Sequence, residues 1–313
     1  MSVVSHSLGL RTSALIEGDI MTTELPSLHV GHGIHHGALT IFPVWTDAPR
    51  IAGLDWSPNS LQVEEREGSP VVGELVARNR STRDLVALEG DLVSGGWQDR
   101  MLASSMVLAR GESRVVDVLC VEHGRWSGAT AHESTGRTGA ATVRHGNVST
   151  RDRQHPQAEV WRRIERYESE LGASRTSSML HHLDDSHTAD LHRLSGQRGV
   201  IIGIGGRVIS AEIFGSARGL HARWSGILAA AALDARLAPS VATPSYRARE
   251  FAVTLAGMRI DSAEESGSGK PATAHAITAS RPGLRMSGIR RPSPGPLLHL
   301  AAFNETHPLL VNA

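Results

Sequence analysis

The chain has 313 residues, 40% of them hydrophobic, with 32 basic and 32 acidic side chains and a formal net charge of zero. That length and apolar content suffice for a buried core and exclude wholesale disorder. Zero net charge argues against a general nucleic-acid or anionic-membrane footprint, and because Lys270 is the single lysine, arginine carries nearly all of the positive charge.

Residues 1–25 show no hydrophobic period and read as a loose leader. Their start, MSVVSHSLGLRTSALIEGDI, lacks a basic n-region and is not expected to be a secretory signal. No run of about 20 apolar residues predicts a membrane-spanning helix. Cys120 is alone, so no internal disulfide forms, and a reducing compartment is compatible. A cytoplasmic location is expected. Ala38 to Val44 is a strand candidate preceded by His29, His32, His35 and His36. Gly31, Gly33 and Gly37 interrupt any helix that would align those imidazoles on a metal, so a solvated loop is the favoured reading. Trp56 to Pro70 reads as a polar connection with one helical turn, and Val71 to Arg78 as a strand leading into the central stretch.

Asn79 to Trp126 organises the chain. Leu85–Glu89, Met101–Leu108 and Val115–Glu122 are strand-length apolar runs bounded by Gly and Asp. As an antiparallel meander in chain order, they bring Glu89, Arg100 and Glu122 to one edge. Two strand spacings then separate the Glu backbones by roughly 10 Å, with Arg100 between them. Cys120 shares a strand side with Glu122, and Gln98, Arg125 and Trp126 lie just beyond the same edge.

Ser127 to Ser149 is rich in Gly, Ser and Thr. It is expected to be a long loop with a strand at Ala141 to Arg144, either a lid over the Glu edge or a plain insertion. Gln157 to Leu171 has helical spacing, with Val160, Trp161, Ile164, Tyr167 and Leu171 on one face. A second helix is expected within Thr176 to Leu194. It carries the densest metal-type cluster, His181, Asp184, Asp185, His187, Asp190 and His192, for which a solvated, metal-free face is the favoured reading. Gly199 to Phe214 predicts a hairpin turning at Gly205-Gly206. Helices are expected at Leu220 to Leu237 and Tyr246 to Met258. Ile260 to Pro296 reads as a weakly ordered connection with one or two strands. Within it Gly267-Ser-Gly-Lys270 lacks the spacing of a phosphate loop. Leu297 to Phe303 should return to the sheet.

Together these elements predict an α+β fold, a mainly antiparallel β-sheet with three or four packed helices. One domain is expected over residues 26–305, strand-rich over 26–150 and built of helices and a hairpin over 151–305, with a tail at 306–313.

The segments LEGDLVSGGWQDR and VLCVEHGRW resemble the ADP-ribosylglycohydrolase- and rhodanese-phosphatase-associated protein domain family. The similarity continues through HPQAEVW, GVIIGIGGRVISAEIFGS and LLHLAAF, from about Pro26 to Phe303. The family pattern often has Gly-Lys-Gln-Asn-Arg where this chain has Gly96-Trp97-Gln98-Asp99-Arg100, so the Lys is missing. The resemblance implies a β-rich fold and a neighbourhood of ADP-ribose and phosphate chemistry. It implies no particular reaction.

Two functional readings follow. In the first, the rim binds or processes a nucleotide-type ligand related to ADP-ribose or NAD. Glu89 and Glu122 are then the candidate acid/base pair. Gln98, Arg100, Cys120, Arg125 and Trp126 are the ligand-binding candidates, with Trp126 stacking on a base. Cys120 is the weaker nucleophile candidate, although His123 is close in sequence. In the second, the same charges only cap the sheet of a non-catalytic structural or partner-binding module. Neither reading calls for a metal, specifies a cofactor or sets an oligomeric state.

Overall fold

A computed structural model describes residues 25–311, apart from 69–70, 151–155, 185–190, 265–272 and 293–294. The first half is strand-rich. It contains β1 (Leu28–Val30), β2 (Ile34–His36), β3 (Leu39–Thr46), β4 (Leu54–Asp55), β5 (Leu61–Glu64), β6 (Glu74–Asn79), β7 (Asp84–Ala87) and β8 (Asp91–Gly95). β9 (Arg100–Leu102), β10 (Met106–Leu108), β11 (Ser113–Cys120) and β12 (Ala131–Thr138) follow. Three helices come next, α1 (Ala141–Thr150), α2 (Pro156–Leu171) and α3 (Met179–Asp184). The hairpin β13 (Gly199–Ile204) and β14 (Arg207–Phe214) precedes α4 (Ala217–Ala235) and α5 (Ser245–Ala256). The chain closes with β15 (Asp261–Glu264), β16 (His275–Arg281), β17 (Leu284–Arg290), β18 (Leu297–Asn304) and α6 (Pro308–Val311). The fold is α+β, and its sheets are mainly antiparallel.

A nine-stranded sheet runs β1-β3-β13-β14-β18-β17-β16-β15, with β2 pairing onto β3. Its central strands are apolar on both faces, as expected of a sheet covered on both sides. Ile41, Val200, Ile202, Ile209, Ala301 and Phe303 pack with α4. The alternate residues Phe42, Ile201, Val208, Ala211, Leu300 and Ala302 pack with α5. The hairpin turns where expected, because Gly205 (φ 58) and Gly206 (φ 85) supply the two positive φ values of a tight turn.

Six strands close into a barrel, β11-β6-β5-β12-β8-β9. Val63, Leu75, Ala77, Val93, Leu102, Val116 and Val118 form its core. A small sheet, β10-β7-β4, lies beside it. α1, α2 and α3 pack on the outer side of β9 and β11 through Met101, Leu119, Val143, Ile164, Tyr167 and Met179.

Several expectations need correction. Met101 to Leu108 is not one strand: Arg100–Leu102 pairs with β11, whereas Met106–Leu108 pairs with β7 in a different sheet. Ala141 to Arg144 begins a helix rather than a strand, and the stretch expected to be a loop contains barrel strand β12. Within Thr176 to Leu194, the described helix covers only Met179–Asp184. The connection from Ile260 onward holds three strands, and the expected tail packs Leu309 and Leu310 into the core. The His29 to His36 stretch forms two short, mostly exposed strands. Residues 1–24 and Gly267-Ser-Gly-Lys270 lie outside the described residues. No described helix is long and apolar enough to cross a membrane.

Candidate functional site

The rim residues sit where the barrel strands end. Strand register places Arg100 opposite both Cys120 and Val93. The turn of Gly95 (φ 93) and Gly96 (φ 52) then brings Trp97, Gln98 and Asp99 back over the end of β11. Gln98 is fully buried and donates to the carbonyl of Glu122 at 2.9 Å, while its own Oε1 accepts from Arg100 Nη1 at 2.7 Å. The Asp99 amide donates to Glu122 Oε2 at 2.9 Å.

Arg125 covers the Glu122 carboxylate. Its Nε lies 3.0 and 3.1 Å from the two oxygens, and Nη2 lies 2.7 Å from Oε2. The remaining donors go to the carbonyls of Gly95, Gly96 and Ser127 and to Asp99 Oδ1. All three guanidinium nitrogens are therefore occupied inside the chain. Burial alone would raise the Glu122 carboxyl, but the Arg125 guanidinium and the Asp99 amide outweigh it and hold it below the usual range. Asp99 moves the other way. Burial and the Glu122 charge push it up against the hydrogen bond from Ser178 Oγ, 2.6 Å from Oδ2.

The same rim is stitched to the segment before α3. Glu122 makes a β-bridge to Ser178, and Met179 donates to the Val121 carbonyl at 2.9 Å. On the other side, His132 Nε2 lies 3.1 Å from Glu65 Oε1, both side chains being buried. Gly96 lies against this imidazole, since a Cβ there would fall 2.0 Å from His132 Nε2. Cys120 is buried, and burial pushes its thiol up despite the Arg100 charge. Trp126 is 52% exposed.

Glu89 does not join this group. Its carboxylate accepts from Arg144 Nε at 3.0 Å and from Asn147 at 3.2 Å, both on α1. Arg144 also pairs with Glu212 on β14, whose other oxygen lies 2.6 Å from His299 Nε2. Arg223 pairs with Asp91 at 2.9 Å on the barrel side of the same join. The expected trio of Glu89, Arg100 and Glu122 is thus divided. The strand change at Ala103–Ser105 turns Glu89 toward α1 and the large sheet, while Arg100 and Glu122 stay at the barrel end. Among the described residues Arg100 pairs with neither carboxylate; it donates to Gln98 Oε1 instead.

Local sequence did not reveal Glu212 or His299, whose strands are otherwise mostly apolar at buried positions, nor Arg144 or Asn147, because α1 also buries Thr142 and His145 and shows no apolar stripe. A cavity of about 20 Å³ beside Arg144, Glu212 and Asp234 has room for a single water. Above it, Tyr167 and Thr142 both bond to the buried Asp234 carboxylate. Of the His/Asp cluster, His181 and His192 are exposed and Asp184 pairs with Arg137, while the neighbouring His182 lies 2.7 Å from Glu168. Asp185, His187 and Asp190 lie outside the described residues. Among the described residues no three His, Cys, Asp or Glu side chains converge to hold a metal.

Residues 27–303 match the family described as the ARG and Rhodanese-Phosphatase-superfamily-associated Protein domain, and the chain belongs to that family. Comparison with curated proteins and with solved structures finds no match.

Proposed function

We propose that the chain is a non-catalytic binding module, in which the rim charges lock the barrel to the segment before α3. The observation that carries this reading is the occupancy of Arg125 and Glu122. Every guanidinium nitrogen and both carboxylate oxygens are taken by partners inside the chain. An arginine that clamps phosphate needs free donors, and Arg125 has none to offer. A general acid must hold a proton near neutral pH, and a carboxyl kept below its usual range does not. Glu89, the intended second carboxylate, belongs to another network. A nucleotide-type ligand at this rim would be left with Trp126 as its exposed contact.

Incubation with ADP-ribose and with NAD, followed by chromatography, tests the reading. Neither compound is expected to be consumed, and Glu122→Gln is expected to lower stability and nothing else. Turnover by the wild-type chain that Glu122→Gln abolishes, with circular dichroism unchanged, would make the rim an active site.

A further inference from the structure

Arg125, Arg144, Arg163, Arg223 and Arg285 each have an acidic partner. Three others that share one groove do not. Arg207 opens β14, Arg247 lies on α5, and Arg281 closes β16. They line a groove of about 300 Å³ together with Phe251, Pro282 and Leu284. None of the three makes an ion pair among the described residues, although Arg247 also lies over the Tyr246 ring at 5.6 Å.

Local structure builds this groove. The Arg281-Pro282-Gly283-Leu284 turn has Pro at its second position and Gly283 at φ 79, the combination a type II turn requires. Its tip is pinned by the Glu305 amide donating to the Gly283 carbonyl at 3.0 Å. The turn therefore presents Arg281 beside the helix face that carries Arg247, Glu250, Phe251 and Thr254, residues at helical spacing. Among the described residues Glu250 is the one acid lining the groove. Glu305 near its edge is already held by Arg285 and His145.

We infer that this groove binds a phosphorylated mononucleotide, with Arg207, Arg247 and Arg281 holding the phosphate and Phe251 supporting the base. Guanidinium forks match phosphate oxygens in pairs, and three unpaired forks around one groove give a local positive field that an otherwise neutral chain does not need for folding. The volume falls at the small end of sites for organic ligands, roughly 300–1,000 Å³, which favours a mononucleotide over a dinucleotide. Phe251 is half-buried, packs against the core beneath α5 and lines the groove, which puts an aromatic side chain beside the base. The Glu250 carboxylate is placed to accept from an amino or hydroxyl group of the nucleoside. This inference rests on the non-catalytic reading in asking for binding without turnover.

Isothermal titration of the full chain with AMP, adenosine, ribose 5-phosphate and inorganic phosphate tests it. AMP is expected to bind saturably, more tightly than the other three, and to weaken as salt rises. Arg247→Ala/Arg281→Ala should weaken AMP at least about tenfold, the loss expected of a charge-assisted contact. Phe251→Leu should weaken AMP and leave inorganic phosphate unchanged. No saturable heat with AMP, or an affinity that the double variant leaves intact in a folded chain, overturns the site. Adenosine binding as well as AMP removes the arginine role, and phosphate binding as well as AMP removes the base subsite. AMP that binds here and is consumed would instead overturn the non-catalytic reading while the site stands.

Discussion

Arg144 on α1 holds Glu89, just after β7, with Nε 3.0 Å and Nη2 2.9 Å from Oε2. The same guanidinium pairs with Glu212 on the large sheet, and all three side chains are at most 5% exposed. One cation therefore neutralises two buried carboxylates from different sheets and joins the barrel side of the fold to the sheet. Removing it leaves Glu89 without its counter-charge and Glu212 with His299 alone. Arg144→Ala is expected to destabilise the chain by about 3–5 kcal/mol, read from the urea midpoint. A loss within about 1 kcal/mol, the scale of an exposed pair, would show that this join is open to water.

Acid should weaken the rim in a defined direction. Glu122 is held below its ordinary value of 4.5 in the folded chain, so the stability it contributes is fully present above that value. It is lost as pH falls through the lower folded-state value. The stability gap between wild type and Glu122→Gln is therefore expected to narrow as pH is taken from about 6 to 3. Glu212 behaves likewise: burial opposes its ionisation, and Arg144 and His299 more than compensate. A gap that stays constant over that range would reject the assignment for Glu122.

Gly96 tests the turn that carries Gln98 and Asp99 back over β11. Its φ is 52, and a Cβ would meet the His132 ring at 2.0 Å. The imidazole is buried and faces Glu65, so it has little room to give. Gly96→Ala is expected to cost roughly 1–3 kcal/mol from overpacking and the left-handed backbone. Gly111 is also left-handed, at φ 70, but has nothing within 4 Å of a Cβ. Gly111→Ala should cost less, and equal losses in thermal melts would show that the His132 contact plays no part.

The parts of this fold that are legible in sequence are those with one regular period. The hairpin at Gly205-Gly206 and the α2 stripe of Val160, Ile164 and Tyr167 are of this kind. α1 is hidden because residues 142–148 are all buried yet mostly polar or Gly, with Val143 and Val148 alone apolar, so no apolar stripe marks its turns. The run Met101 to Leu108 reads as one strand by its length and its apolar ends, and only the polar pair Ser104-Ser105 marks the step at Ala103–Ser105 where it leaves one sheet for another. That step separates Glu89 from Arg100. Of the rim, Gln98, Arg100, Glu122 and Arg125 do come together, because the barrel register and one Gly-Gly turn place them at the same end. Glu89 finds a partner 55 residues away, Arg144, whose charge at a buried position argues against any apolar pattern.

Cys120 gives a separate test of the barrel end. Its backbone amide and carbonyl are both clamped by the Gln157 side chain at 2.8 Å, and its side chain is fully buried. Burial pushes the thiol above its ordinary value, and the Arg100 charge only partly offsets this. His123, the nearby base in sequence, packs edge-on against Trp161 with ring centroids 4.7 Å apart. The thiolate, which is the reactive form, is therefore scarce and shielded in the native chain. A chromogenic disulfide reagent at neutral pH should label the folded protein no faster than the protein opens, and label it fully once denaturant is added. Rapid stoichiometric labelling of a chain that keeps its native circular dichroism would place Cys120 at an accessible site and return it to the list of nucleophiles.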